Sequence, residues 1–256
     1  MTFKILARYW LESTRFSLAS KLSHMEQYRG IGRGKRCFIM GGGPSLKSVD
    51  PRLLLREDTF GVNAIYLIQD WLGFLPKFYV VEDNLVVEDR GKEIAAMRGP
   101  AKFYDARYNR QIPPDANTRN FRMFGLFDGY PAFPRFSHNA AKGIWWGGTV
   151  TYMCMQLAWY MEYDPVYLIG MDHNYVKPGT TKASGLVWTS QGEDPNHFHP
   201  DYFGRGKRWH DPQIPRMEAG FRKARLEYEK AGRRVFNATH GGKLEIFPRV
   251  SFEGLF

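Results

Sequence analysis

The tetrapeptide Cys37-Phe38-Ile39-Met40 runs without a polar break into Gly41-Gly42-Gly43-Pro44-Ser45. A short, wholly apolar run bounded by turn signals predicts a strand buried on both faces, which is the habit of parallel sheets covered by helices on either side. Asp50 as a helix cap and Pro51 at the first helical position predict a short helix soon after the glycines. Strand, glycine turn and helix in that order predict an α/β fold in which main-chain N–H groups around residues 41–45 face an anion, such as the phosphate of a nucleotide. The turn lacks the lysine and Ser/Thr of a Walker loop and the spaced third glycine of the dinucleotide fingerprint, so a purely structural tight turn stays open beside that reading.

The same pattern recurs along the chain. Phe60-Gly61-Val62-Asn63 and Phe78-Tyr79-Val80-Val81 are further strand candidates, ending in Asn63 and in the pair Glu82-Asp83. Polar groups at the carboxyl ends of successive parallel strands point to a ligand crevice. Lys102-Phe103-Tyr104 is a weaker strand candidate, and residues 106–140 read as an insertion without period. Gly147-Gly148-Thr149 opens a helix with Val150, Met153, Leu157, Ala158 and Met161 on one stripe, and Val166-Tyr167-Leu168-Ile169-Gly170 is the strand that follows. Gln156, two glycines and two threonines make the uncharged run from Gly143 to Met161 too polar for a lipid-facing span, so it is read as buried. Residues 173–211, rich in Gly, Pro, His and aromatics, are too long for an inert connection and read as a lid. A charged helix over 216–230, a strand at Arg234-Val235-Phe236-Asn237 and a short tail strand complete the pattern.

Residues 1–34 stand apart. Phe3, Leu6, Trp10, Leu18, Leu22 and Met25 recur at helical spacing, with Lys4, Arg8 and Arg15 on another side, and alternating Gly and Arg at 29–34 reads as a basic linker. The division expected is therefore a basic amphipathic extension over 1–34 and a catalytic domain over 35–256 with its lid at 173–211. The extension either packs on the domain or docks on an anionic membrane face. A formal charge of +10 suits an anionic partner, but no nucleic-acid reading module is present and nucleic acid is not expected. Cys37 and Cys154, both in apolar stretches, predict buried thiols and a reducing compartment, and Met1–Arg8 does not read as a secretory signal; a cytoplasmic protein, held at the inner membrane face if the extension binds lipid, is expected.

Three blocks, Arg36 to Lys47, Thr59 to Asn63 and Val80 to Leu85, resemble the opening of bacterial hydroxymethylpterin-diphosphokinase-like (MptE-like) proteins, and the same layout resembles the CMP-sialic-acid-dependent sialyltransferases of bacterial surface-glycan synthesis. Gly147 to Val150, Tyr167 to Asp172 and Asn237 to Leu244 extend that resemblance over most of residues 35–250. It implies a Rossmann-like, mostly parallel sheet flanked by helices. It further implies that Gly41, Gly43 and Ser45 wrap the nucleotide phosphate, that Asn63, Glu82 and Asp83 contact ribose or phosphate-side groups, and that Thr149 and Gly170 complete the nucleotide wall with Asp172 at its edge. Gly42 stands where the sialyltransferases have asparagine, and Asn174 stands where they have a leaving-group tyrosine, with Tyr175 beside it. In the lid, Asn196 to Gly204 resembles the segment that carries their base, and His197 is the matching histidine.

The function expected is transfer from a nucleotide sugar, CMP-linked, to a glycan or lipid-linked acceptor. His197 would be the base, Tyr175 or Tyr202 would donate to the departing phosphate, and no cofactor would be required. The rival activity, pyrophosphate transfer from ATP to a hydroxymethylpterin, would need magnesium on carboxylates such as Glu82, Asp83 and Asp172. A non-catalytic nucleotide-binding module is the alternative from another class. His197 and His199 as plain surface histidines, or with His210 and Asp211 as a metal set, remain open at this level, as does His173 as base. A homo-oligomer would fit any of these.

Overall fold

In a computed structural model that describes residues 3–125, 134–176 and 180–256, the apolar tetrapeptide becomes β1 (Cys37–Met40), fully buried at the heart of a sheet. The chain proceeds from β1 to β2 (Asp58–Val62), β3 (Phe78–Val80), β4 (Ala101–Asp105) and β5 (Thr118–Phe121) on one side. After a two-stranded parallel pair, β6 (Met123–Phe124) with β7 (Ile144–Trp145), it returns to the other side of β1 through β8 (Val166–Ile169). The resulting order, with β12 (Val235–Asn237) at the far edge, is β12-β8-β1-β2-β3-β4-β5, and every pairing within it is parallel. The expected Rossmann-like α/β architecture is thus the one observed.

Alternation along the strands divides the core in two. Cys37, Ile39, Phe60, Val62, Phe78, Val80 and Phe103 join the layer of α5 (Val150–Tyr160) and α6 (Ile214–Lys230). Phe38, Met40, Tyr79, Val81 and Tyr104 join the layer of α4 (Asn84–Ala96). Burial on both faces is what lets these strands dispense with the polar alternation of a one-sided sheet. α5 is buried almost all round, as its uncharged sequence predicts, and Cys37 and Cys154 are free, buried thiols whose pKa values burial pushes up.

Four segments take shapes that the sequence left open or read otherwise. α1 (Phe3–Leu18) and α2 (Ser23–Glu26) form as predicted, but residues 23–34 pack on the domain: Met25 is wholly buried in the core, and the Gly30 and Gly32 amides donate to the Tyr160 and Met161 carbonyls. The predicted insertion supplies β5 to the main sheet; its residues 126–133 lie outside the described residues. The lid is itself a small antiparallel sheet, β9 (Thr180–Ser184), β10 (Val187–Ser190) and β11 (Arg208–His210), with residues 177–179 outside the described residues. Its Arg208 pairs with Asp89 at 2.5 Å and Glu88 at 2.9 Å, which fastens this segment to α4. Residues after β12 contribute an isolated bridge, Asn237 with Arg249, where a tail strand was expected. Among the described residues no helix is long and apolar enough to cross a membrane.

Candidate functional site

Strand order reverses between β1 and β8, and the loops leaving their carboxyl ends face one another. This is where an open α/β sheet forms its crevice. Gly41 donates to the Ile169 carbonyl at 2.8 Å and Gly43 to the Gly170 carbonyl at 2.9 Å. Ser45 spends both its groups on Asp172: the hydroxyl donates at 2.6 Å and the amide at 3.3 Å. The Gly42 carbonyl accepts from the Phe198 amide of the lid, and only the Gly42 amide makes no hydrogen bond.

The expectation that Gly41, Gly43 and Ser45 wrap a phosphate is corrected by these bonds. Their donors are already satisfied, and a carboxylate of the protein itself, that of Asp172, occupies the anion position before Ser45. The glycines serve close approach instead. A Cβ at Gly43 would stand 1.8 Å from an Asp172 oxygen, one at Gly41 2.5 Å from the Gly170 carbonyl, and one at Gly42 2.7 Å from the His197 ring. Asp172 is accordingly a clamp between the two loops, and Ser45 lines neither cavity described below.

Two cavities meet above the sheet. A small one of about 90 Å³ is walled by Gly41, Gly42, Gly43, Gly170 and Asp172. A large one of about 1010 Å³ opens over the carboxyl ends of β2, β3 and β4, where Asn63, Glu82, Asp83 and Asp105 lie, and is roofed by the lid. Asn63, Thr149, Tyr175 and His197 line both. A cavity for a nucleotide-sized ligand needs about 300 to 1,000 Å³. The larger space alone meets that, so the ligand position shifts from the glycine turn toward β2–β4.

His197 sits at the junction. Its Nδ1 lies 2.7 Å from an Asp194 carboxylate oxygen. Asp194 also accepts from the Asn196 amide at 2.9 Å and the Phe203 amide at 3.0 Å, and although burial raises its pKa, the hydrogen bond and charge of His197 and these amides together hold it low. An ionised Asp194 accepts only, so Nδ1 carries a proton, and it is the neutral ring in this tautomer that offers a lone pair at Nε2. Tyr202 stacks beneath the ring, 4.0 Å away and nearly parallel. Tyr202 is itself 2 % exposed, lines the small cavity, and burial drives its pKa up against the influence of the Asn63 side chain and the Ala64 backbone. Tyr202 thus supports the His197 ring from below. Tyr175 is half-buried on both cavities, and burial pushes its pKa up to about 12, so it stays a proton donor.

Asn63 holds a left-handed backbone, φ 50°, and its buried Oδ1 has no hydrogen-bond partner. Thr149 caps α5 by accepting from the Thr151 amide, which brings the positive end of that helix to the junction. Gly148 and Val150 also line the large cavity. Deeper in that cavity, burial and the neighbouring Asp83 push the Glu82 carboxyl up to about 8, against His210 and a hydrogen bond from Trp146. His210 Nδ1 lies 3.1 Å from Asp83, whose hydrogen bond raises the histidine pKa. The Trp209 indole N–H, 5 % exposed on the cavity wall, is without a partner.

Several of these were not foreseen from sequence. Asp194 is signalled only by its spacing three residues before His197. Trp146 and Trp209 read from sequence as rings that either stack on a sugar or base or fill the core, and the structure puts both on the wall of the large cavity; His210 enters through Asp83 and no metal. The magnesium trio of the diphosphokinase reading is not gathered: Glu82 and Asp83 line the large cavity, whereas Asp172 turns to Ser45 in the small one. Nor are His197, His199, His210 and Asp211 a metal set; among the described residues no three His, Cys, Asp or Glu side chains could hold an ion. His173 packs against Phe221 near Glu218 and lines only the small cavity.

No protein-family model and no curated protein sequence matches the chain. Among solved structures, the MAf glycosyltransferase from Magnetospirillum magneticum AMB-1 is similar in fold, with a TM-score of 0.52 and 16% identity over 91% of this chain. The chain spans 39% of that protein's length. At this identity the likeness is one of fold.

Proposed function

We propose that the chain is a glycosyltransferase that takes its sugar from a nucleotide donor, CMP-linked, and passes it to a hydroxyl of a glycan or lipid-linked acceptor in bacterial surface-glycan synthesis. The observation that carries the proposal is the His197–Asp194 pair, 2.7 Å apart at the junction of a nucleotide-sized cavity. The fold shared with a protein described as a glycosyltransferase supports the reaction class, and the motif resemblance to sialyltransferases supports the CMP donor.

In this reading the nucleotide lies in the large cavity, with its phosphate toward the amino-terminal end of α5 and its hydroxyls toward Asn63 Oδ1. His197 Nε2 removes the acceptor's hydroxyl proton as that oxygen bonds to the anomeric carbon. The bond from that carbon to the phosphate oxygen breaks, its electron pair leaves with the phosphate, and the Tyr175 hydroxyl donates to the developing charge. Asp194 holds the ring and stabilises the imidazolium. A base so placed contributes about 10²- to 10⁴-fold, with positioning and charge stabilisation supplying the rest.

The test is a thermal-shift panel of CMP, CDP, UDP, GDP and ATP with and without magnesium, followed by turnover of the matching nucleotide sugar. CMP should stabilise the chain without metal, by about 2.7 kcal/mol at a hundredfold excess over its Kd. His197→Ala should keep that shift and lose turnover. Silence across the panel, or undiminished turnover in His197→Ala, overturns the proposal.

A further inference from the structure

α1 uses only one side to hold the domain. Tyr9, Glu12, Ser13 and Phe16, spaced by three and four residues, face inward; Phe16 packs on Phe124 at 5.3 Å and Trp145 at 5.1 Å, and the Arg135 guanidinium lies over the Tyr9 ring at 4.2 Å. The other side is exposed, with large apolar side chains beside basic ones. Phe3, Leu6 and Trp10 form one outward stripe, and the exposed Lys4, Arg8, Leu11 and Leu18 lie beside it, while Arg15 pairs with Glu12 at 2.5 Å. Phe3 is 85 % exposed, Trp10 71 % and Leu18 80 %. The helix has one acid, Glu12, and it is buried on the inward side.

We infer that this outward face is a docking helix for an anionic lipid surface. Large aromatic and aliphatic side chains beside long basic ones on a helix lying along the protein are the arrangement that sinks into a headgroup layer, the rings entering the acyl boundary while Lys and Arg reach the lipid phosphates. A second copy of the chain fits the face poorly, because a two-fold contact would set the basic stripe of one helix against that of the other. The net charge of +10 adds attraction of the same sign.

Glu12 and Arg15 also line the large cavity, so the helix forms part of its mouth. Docking there brings the mouth to the membrane. That consequence deepens the proposed transfer, on which it rests, by making the acceptor one presented from a lipid surface; the lipid binding itself does not depend on it.

The experiment is cosedimentation of the full chain with vesicles of phosphatidylcholine alone and of phosphatidylcholine mixed with phosphatidylglycerol, at low and high salt, with oligomeric state followed by sedimentation velocity. Binding is expected only to the mixed vesicles and weakens with salt. Lys4→Gln and Arg8→Gln each reduce it by about fivefold. Leu6→Ser with Trp10→Ser removes it while the thermal melt and far-ultraviolet spectrum stay as in the parent. No preference for anionic vesicles, binding untouched in the Leu6/Trp10 variant, or a dimer that this variant dissolves would each overturn the inference. Because no sugar transfer is read, its failure is separate from failure of the proposed activity.

Discussion

Asp194 holds His197 Nδ1 at 2.7 Å while the opposite edge of the imidazole packs on Gly42, so the lid histidine is fixed from both sides over the crevice of the main sheet. Both contacts are needed for a base: one selects the tautomer and the other sets where Nε2 points. Asp194→Asn keeps the shape and lets its amide donate to Nδ1, which drives the proton to Nε2. We expect turnover to fall by about 10²- to 10⁴-fold with nucleotide affinity little changed. The ¹⁵N shifts of the His197 ring would report the tautomer directly, and a ring still protonated on Nδ1 in the variant would count against this account.

Gly43 admits no side chain. An added methyl would collide with Asp172 and would meet the Gly170 carbonyl at 2.7 Å, forcing the two crevice loops apart. Gly43→Ala should therefore cost on the order of 2 to 4 kcal/mol by urea denaturation. Gly192→Ala, where nothing lies within 4 Å of the new atom, should be nearly silent. Combining Gly43→Ala with Asp172→Ala should recover part of the loss, since the carboxylate is one of the two obstacles. Strict additivity would place the strain elsewhere.

Sequence revealed strands where both faces are apolar, and lost them where a charged group reaches a partner the sequence does not advertise. β1, β2, β3, β8 and β12 were legible for the first reason. β4 looked weak because of Lys102, which is wholly buried: its stem packs in the core while Nζ reaches Asp115 at 2.7 Å and the Met97 carbonyl at 3.3 Å. β5 was hidden because at this polar edge only Phe121 is fully buried. The site divides the same way. His197 was legible from its motif, but the bond from Ser45 to Asp172 spans 127 residues and exists only once β1 and β8 lie side by side. Apart from that of Gly42, the amides that look free in the glycine turn are therefore not free in the fold.

Gln156 shows how one polar residue in an apolar helix can be structural. Fully buried on α5, it accepts from the Ser137 and Trp145 amides, each at 2.9 Å, and donates to the Trp145 carbonyl at 2.7 Å. It thereby pins β7 to the helix. Gln156→Leu would strand two buried donors and an acceptor, at about 1 to 3 kcal/mol each, so a loss of about 3 kcal/mol or more in the urea midpoint analysis is expected. A loss below about 1 kcal/mol would mean that water or a shifted backbone satisfies those groups.

Glu82 gives the pH behaviour. Its carboxyl is raised from the ordinary 4.5 to about 8, first by burial and then by Asp83. Between about pH 4.5 and about pH 8 the folded chain thus holds a proton that the unfolded chain releases, and stability must fall as pH rises through that window. The raised His210 acts in the same direction, its contribution present below its ordinary 6.5 and lost as pH rises through its folded value. Because Glu82 lines an open cavity, solvent screens the cost of ionising it, and its share of the slope is on the order of 1 to 3 kcal/mol. Glu82→Gln should flatten most of the decline in melting temperature between about pH 5 and about pH 8, and His210→Asn in the same background should remove what is left. If the parent and Glu82→Gln lose stability in parallel, Glu82 is ionised throughout, and the carboxylate charge in the cavity would then be set by Asp83 and Glu82 together.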